Sequence, residues 1–117
     1  MMILFLALIQ SPLEVTSNDG HFKLHIQVAP QPVRANQNLR LEVEIIDLPE
    51  GATVRFDAAM PDHGHGLALP FTLTQSAPHK WVIEDLVLHM PGYWELYVDV
   101  TWDDTTERAQ WSWEITP

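Results

Sequence analysis

The chain has 117 residues, of which 46% are hydrophobic and 19% charged, and this is the size and composition of one folded domain. Its 16 acidic and 6 basic residues give a formal charge of −10, and so few scattered cations argue against a nucleic-acid partner. The absence of cysteine excludes disulfides, thiolate zinc sites, a catalytic cysteine and a lipoprotein anchor.

The chain begins with an unbroken apolar run, Met1–Ile9. A bilayer-spanning helix takes about 20 apolar residues, so the run is too short to cross, but it matches the core of a secretory signal. Pro12 ends it. The basic n-region of a signal is missing, because no Lys or Arg precedes Lys23, and this fits a start codon assigned too late. We predict a signal peptide over residues 1–17, a folded domain over 18–117, export to the periplasm and no further transmembrane span. Two alternatives stay open: Ile3–Ile9 forms a buried strand, or the run is an uncleaved anchor.

Apolar and polar residues alternate along most of the remaining chain, which is the period of half-buried strands. Turn-forming proline, glycine and aspartate residues separate the runs. The seven predicted strands cover residues 22–28, 39–45, 52–58, 69–74, 81–88, 94–102 and 111–115. This pattern predicts an all-β fold, an immunoglobulin-like antiparallel β-sandwich of about seven strands. Trp94, Trp111 and Trp113 lie at predicted inward positions and should belong to the core.

Antiparallel succession of these strands brings distant connections to one end of the sandwich. Three connections should emerge there: residues 30–38, 60–66 and 89–92. His63 and His65 would then meet His89, whereas His21 and His79 would lie at the opposite end. Four of the six histidines lie outside any obvious core pattern, and the three that meet are among these four.

Two short motifs, Met60–Gly66 and His89–Gly92, concentrate the metal-binding side chains of the chain. Imidazole and thioether groups bind soft or borderline metals, above all copper. The candidate ligands are Met60, His63, His65, His89 and Met90. Asp57 and Asp62 are candidates to hold a ring tautomer from the outer shell. A sulfur ligand would select Cu(I), while three nitrogens alone would suit Cu(II) or zinc equally. The alternative is structural: a solvated turn, with methionines that plug the end of the sandwich.

These residues carry a family resemblance. The segments FDAAMPDHGHG (residues 56–66) and LVLHMPGYWEL (residues 86–96) resemble the YtkA-like group, which overlaps with FixH-like proteins. The resemblance covers about residues 20–117. It implies a small exported or membrane-tethered immunoglobulin-like domain, associated with copper handling and copper delivery to cytochrome oxidase, and it points to the same five ligands. Many relatives continue the first motif with methionine where this chain has Leu67, so one thioether is missing.

The leading prediction is a non-catalytic periplasmic metal-binding module, a copper chaperone or reservoir that serves an envelope copper-acceptor protein. The alternative is an envelope protein–protein interaction domain whose histidine-rich loop is structural. An enzyme is not predicted, because no Ser/His/Asp set, phosphate-binding glycine loop or paired-carboxylate motif stands out. One narrow exception is open: processing that made His21 the amino terminus would allow a copper brace with another histidine.

Overall fold

The computed structural model describes residues 12–117, which form two antiparallel sheets packed face to face. The only helical element among these residues is a single 3-10 turn, Pro61–His63. Nine strands make up the sheets: β1 (Leu13–Thr16), β2 (Lys23–Ala29), β3 (Leu39–Ile46), β4 (Thr53–Met60), β5 (His65–Gly66), β6 (Thr72–Ala77), β7 (Lys80–Leu86), β8 (Gly92–Trp102) and β9 (Thr105–Ile115).

One sheet has five strands in the order β1, β2, β3, β7, β6, and the other has four in the order β5, β4, β8, β9. The predicted all-β sandwich is therefore confirmed. Central strand β8 is paired along its length, with β4 on one side and β9 on the other. Within residues 12–117 no helix has the length and apolar character needed to cross a membrane.

The core lies between the two sheets and follows the alternation in the sequence. In β3 the odd-numbered residues from Leu39 to Ile45 are buried, and in β8 the even-numbered residues from Trp94 to Val100 are buried. Each such side chain stabilises the fold by about 1.5–3 kcal/mol relative to exposure. Trp111 joins this core as predicted, while Trp113 is only partly buried.

Residues 12–117 form nine strands where the sequence predicted seven. The two additional strands are β1 and the two-residue β5. β9 is also longer than predicted and begins at Thr105, not at residue 111; its first half was missed because four of its first six side chains are polar and exposed. β1 falls inside the predicted leader, pairs with β2 from Leu13 to Thr16 and buries Val15. Residues 3–9, the alternative buried strand, lie outside the described residues, and cleavage of a leader stays a prediction.

A buried carboxylate ties the link between β1 and β2 to β9. Glu107 accepts the backbone N–H of Asp19 at 2.9 Å, and the Nδ1 atom of His21 lies 2.6 Å from its Oε1. Burial raises the pKa of Glu107, but hydrogen bonds from Ser17 and from these two residues outweigh burial and lower it to about 2. The His21 ring also packs on Trp102, at the end of β8.

Candidate metal centre

The two histidine motifs meet at one end of the sandwich, which we call the histidine pole and define by His63, His65 and His89. The ring centroids of His65 and His89 are 5.1 Å apart, and those of His63 and His65 are 5.9 Å apart. The prediction that these distant bends lie together is confirmed. His21 lies beside Trp102, about ten residues of strand from the pole, or roughly 30 Å.

The two closest rings belong to His65 on β5 and to His89 in the connection from β7 to β8, which crosses between the sheets. His65 lies in β5 and pairs directly with Met60 at the end of β4. Directly opposed residues of an antiparallel pair point to the same face, so His65 shares the inward face of the fully buried Met60. His89 follows β7 of the five-stranded sheet. The pair therefore bridges the open end of the sandwich.

The ring of His65 is oriented by the backbone. Its Nδ1 lies 3.0 Å from the carbonyl oxygen of Gly66. A carbonyl only accepts, so Nδ1 must donate and Nε2 keeps its lone pair for a ligand. The sequence assigned this orienting role to Asp57 or Asp62. In the structure Asp57 instead accepts the backbone N–H of Ala58 at 2.8 Å, and Asp62 is exposed on the 3-10 turn.

His89 carries a polar atom that the fold leaves unpaired. Its Nδ1 is buried and has no hydrogen-bond partner among residues 12–117. A buried polar atom left in this state costs about 1–3 kcal/mol, and most such atoms in folded proteins are paired. The ring that carries this unpaired nitrogen has its centroid 5.1 Å from that of His65. Such a nitrogen beside a second imidazole fits the position of a metal ligand.

The two methionines differ in access. Met60 is fully buried, and a Cβ atom added at Gly92 would lie only 2.9 Å from its Cε. Met90 keeps partial exposure and directly follows His89 in the chain. Of the two predicted sulfur ligands, Met90 is therefore the one that solvent or an ion can approach.

The spacing of the rings is compatible with a shared ion. A nitrogen–metal bond is about 2.0–2.1 Å long, and the ring centre of an imidazole lies about 1.1 Å behind its nitrogen. Two imidazoles on one tetrahedral ion therefore have ring centroids about 5 Å apart, and two imidazoles on a linear ion have centroids about 6 Å apart. The observed separations of 5.1 and 5.9 Å fall in this range. Within residues 12–117, however, no three His, Asp or Glu side chains are arranged to hold a metal ion as they stand. The structure thus provides an imidazole pair with His63 beside it.

Fold and site together define a small β-sandwich domain with a histidine cluster at one end. No family model matches the chain, and no curated protein does. Among solved structures, the chain is similar to a DUF4426 family protein from Pseudomonas aeruginosa PAO1, with a TM-score of 0.55 and 16% identity over 84% of this chain and 93% of that chain. At this identity the likeness shows the fold alone and supports an immunoglobulin-like β-sandwich. Membership of the YtkA-like group stays a prediction.

Proposed function

We propose that this domain is a non-catalytic metal-binding module that takes up copper at the histidine pole. The observation that carries the proposal is the buried, unpaired Nδ1 of His89 beside the oriented ring of His65. Copper binding would use an atom that the fold otherwise leaves without a partner.

The donors favour Cu(I) over hard cations. His65 and His89 supply imidazole nitrogens, and the thioether of Met90 is the nearest soft donor in the chain to His89. Thiolate and thioether ligands select Cu(I), whereas carboxylates suit Mg²⁺ and Ca²⁺. Zinc or Cu(II) would draw instead on a third imidazole, which the exposed ring of His63 could supply by turning towards the pair.

Exposure of the pole suits transfer to another protein. His63 is exposed and His65 and Met90 are partly exposed, so an acceptor could reach these ligands without unfolding the sandwich. We therefore infer that the domain acts as a copper chaperone or reservoir, exported to the envelope, where it would exchange ligands with a copper-acceptor protein. The formal charge of −10 would attract cations weakly at physiological salt.

The test is a titration of the purified domain with Cu(I) against a competing chelator. We expect one ion per chain, and at least about 100-fold weaker binding in the His65→Ala/His89→Ala variant, because loss of an outer-shell partner alone costs about 10–100-fold. The matched control is His25→Ala/His79→Ala, which removes one histidine from β2 and one from the turn between β6 and β7. No retention by the natural protein, or equal retention by both double variants, would overturn the proposal. Parallel Cu(II) and zinc titrations identify the preferred ion.

One observation favours the second candidate, a protein-interaction domain. An open groove of about 610 Å³ runs between the edge formed by β1 and β2 and the ring of Trp113, and Leu13 at its rim is 40% exposed. A metal-free pulldown that recovers an envelope partner equally well with the His65→Ala/His89→Ala variant, together with a failed titration, would support this function instead.

A further inference from the structure

Trp94 contacts both rings of the imidazole pair. Its ring centroid lies 5.6 Å from that of His89 at an interplanar angle of 77°, and 6.2 Å from that of His65 at 71°. Both are edge-to-face arrangements within the range of favourable aromatic pairs. The sequence predicted Trp94 as core, which is correct because it is fully buried, but gave no sign that it also underlies the histidine pole.

The indole N–H of Trp94 also holds the turn that carries His89. It donates to the carbonyl oxygen of Met90 at 2.9 Å, and Met90 lies in the bend just before β8 begins at Gly92. A carbonyl at such a turn has no strand partner to fix it, so this bond ties the residue after His89 to β8. The backbone of Trp94 is itself held by its pairing with Trp113 of β9.

We propose that Trp94 is a positioning residue of the metal centre. Its N–H holds the turn of His89 in place, and its ring packs edge-to-face against the rings of His65 and His89 and so fixes their orientation. Pre-organised ligands lose less entropy on binding, and supporting residues of this kind set metal affinity through the ligands that they orient. This inference rests on the proposed function, since it concerns the same pole.

The first test compares two variants of matched chemistry. Trp94→Phe keeps an aromatic ring but removes the N–H that reaches Met90, and we expect about 10–100-fold weaker Cu(I) binding. Trp113→Phe is the control, because Trp113 is the direct partner of Trp94 across β8 and β9 but its ring contacts Trp111. We expect Trp113→Phe to bind as the natural protein does.

The second test is spectroscopic and does not require a folded Trp94 variant. The natural protein is labelled with 5-fluorotryptophan, and its five resonances are assigned by elimination with Phe variants of the other four tryptophans. On addition of Cu(I) we expect the Trp94 resonance to shift most, because its ring lies against both ligands. A tryptophan remote from the ion should not respond, and Trp102, at the other end of β8, is the internal reference.

The outcomes separate the two proposals. If the natural protein retains no Cu(I), the proposed function fails. If it retains Cu(I) but Trp94→Phe binds as tightly as Trp113→Phe, or the Trp94 resonance does not move, copper binding stands and the role of Trp94 is rejected.

Discussion

At Gly92 the conformation of the backbone and the packing of the core both require glycine. Its φ angle of +129° belongs to a region that side chains rarely adopt, and a Cβ atom there would lie 2.9 Å from the Cε of Met60. The Cε of Met60 is the end of a flexible side chain, but that side chain is fully buried, so it could give way only by repacking within the core. Glycine at this position therefore allows the turn of His89 to sit directly on the core.

We expect Gly92→Ala to lower the free energy of unfolding by about 2–4 kcal/mol, as the sum of backbone strain and overpacking. The control is Gly51→Ala, where φ is +76° but no heavy atom lies within 4 Å of the added Cβ. It should cost only about 1–2 kcal/mol of backbone strain. Urea unfolding of both variants measures the difference, and equal losses would show that contact with Met60 has no influence.

From the sequence we could predict which ligand residues come together, but not which groups surround them. The clustering of His63, His65 and His89 could be predicted, because strands that alternate in direction fix the end of the sandwich at which each connection lies. The orienting acceptor for His65 could not be predicted, because it is the carbonyl of Gly66 and every residue has one. The contact of Trp94 with the pole was equally hidden, since a buried tryptophan shows the same alternation wherever it lies along a strand.

Strand β1 lies at one edge of the five-stranded sheet. Among residues 12–117 it pairs only with β2, and it buries Val15. The hydroxyl of Ser17, directly after β1, accepts the backbone N–H of Phe22 at 3.0 Å. The backbone N–H of Asn18 then donates to the carbonyl of Arg108 in β9 at 2.9 Å. A leader that ended at residue 17 would remove this strand from the mature domain.

We expect a chain that begins at Asn18 to be less stable than one that begins at Pro12 by about 3 kcal/mol or more. Burial of Val15 alone contributes about 1.5–3 kcal/mol, and the paired backbone of β1 adds to it. Equilibrium urea unfolding of the two chains, with identical residues in front, checks the expectation. Equal midpoints would mean that β1 contributes nothing to stability.

Strong alternation explains which strands the sequence could reveal. β3 and β8 alternate cleanly because one face of each is buried and the other is not. The first half of β9 could not be recognised, because its two buried residues are the charged Glu107 and the small Ala109. β1 was hidden for another reason: its four residues directly follow an apolar run with the character of an export signal.

Acid changes the stability of the whole molecule through two opposite effects. A formal charge of −10 destabilises the compact state through self-repulsion, and protonation of surface carboxylates in acid relieves it. Protonation of Glu107 has the opposite effect and destabilises the fold. Its carboxylate is stabilised in the folded state by hydrogen bonds from Asp19 and His21 near β1. A pH profile of stability therefore sums two effects, and only a variant can separate them.

Glu107→Gln should isolate the effect of the buried carboxylate. The folded pKa of Glu107 is about 2, below its ordinary value of 4.5, so its charge stabilises the fold above pH 4.5 and this stabilisation is lost as pH falls to about 2. We expect the variant to be less stable than the natural protein by roughly 2 kcal/mol at pH 7, the order of a charged hydrogen bond. The gap should narrow between pH 4.5 and 2. Glu114→Gln, at an exposed position of β9, is the control and should show no such gap. Urea unfolding at a series of pH values measures both, and a gap that stayed constant down to pH 2 would mean that the negative charge of Glu107 does not hold β1 to β9.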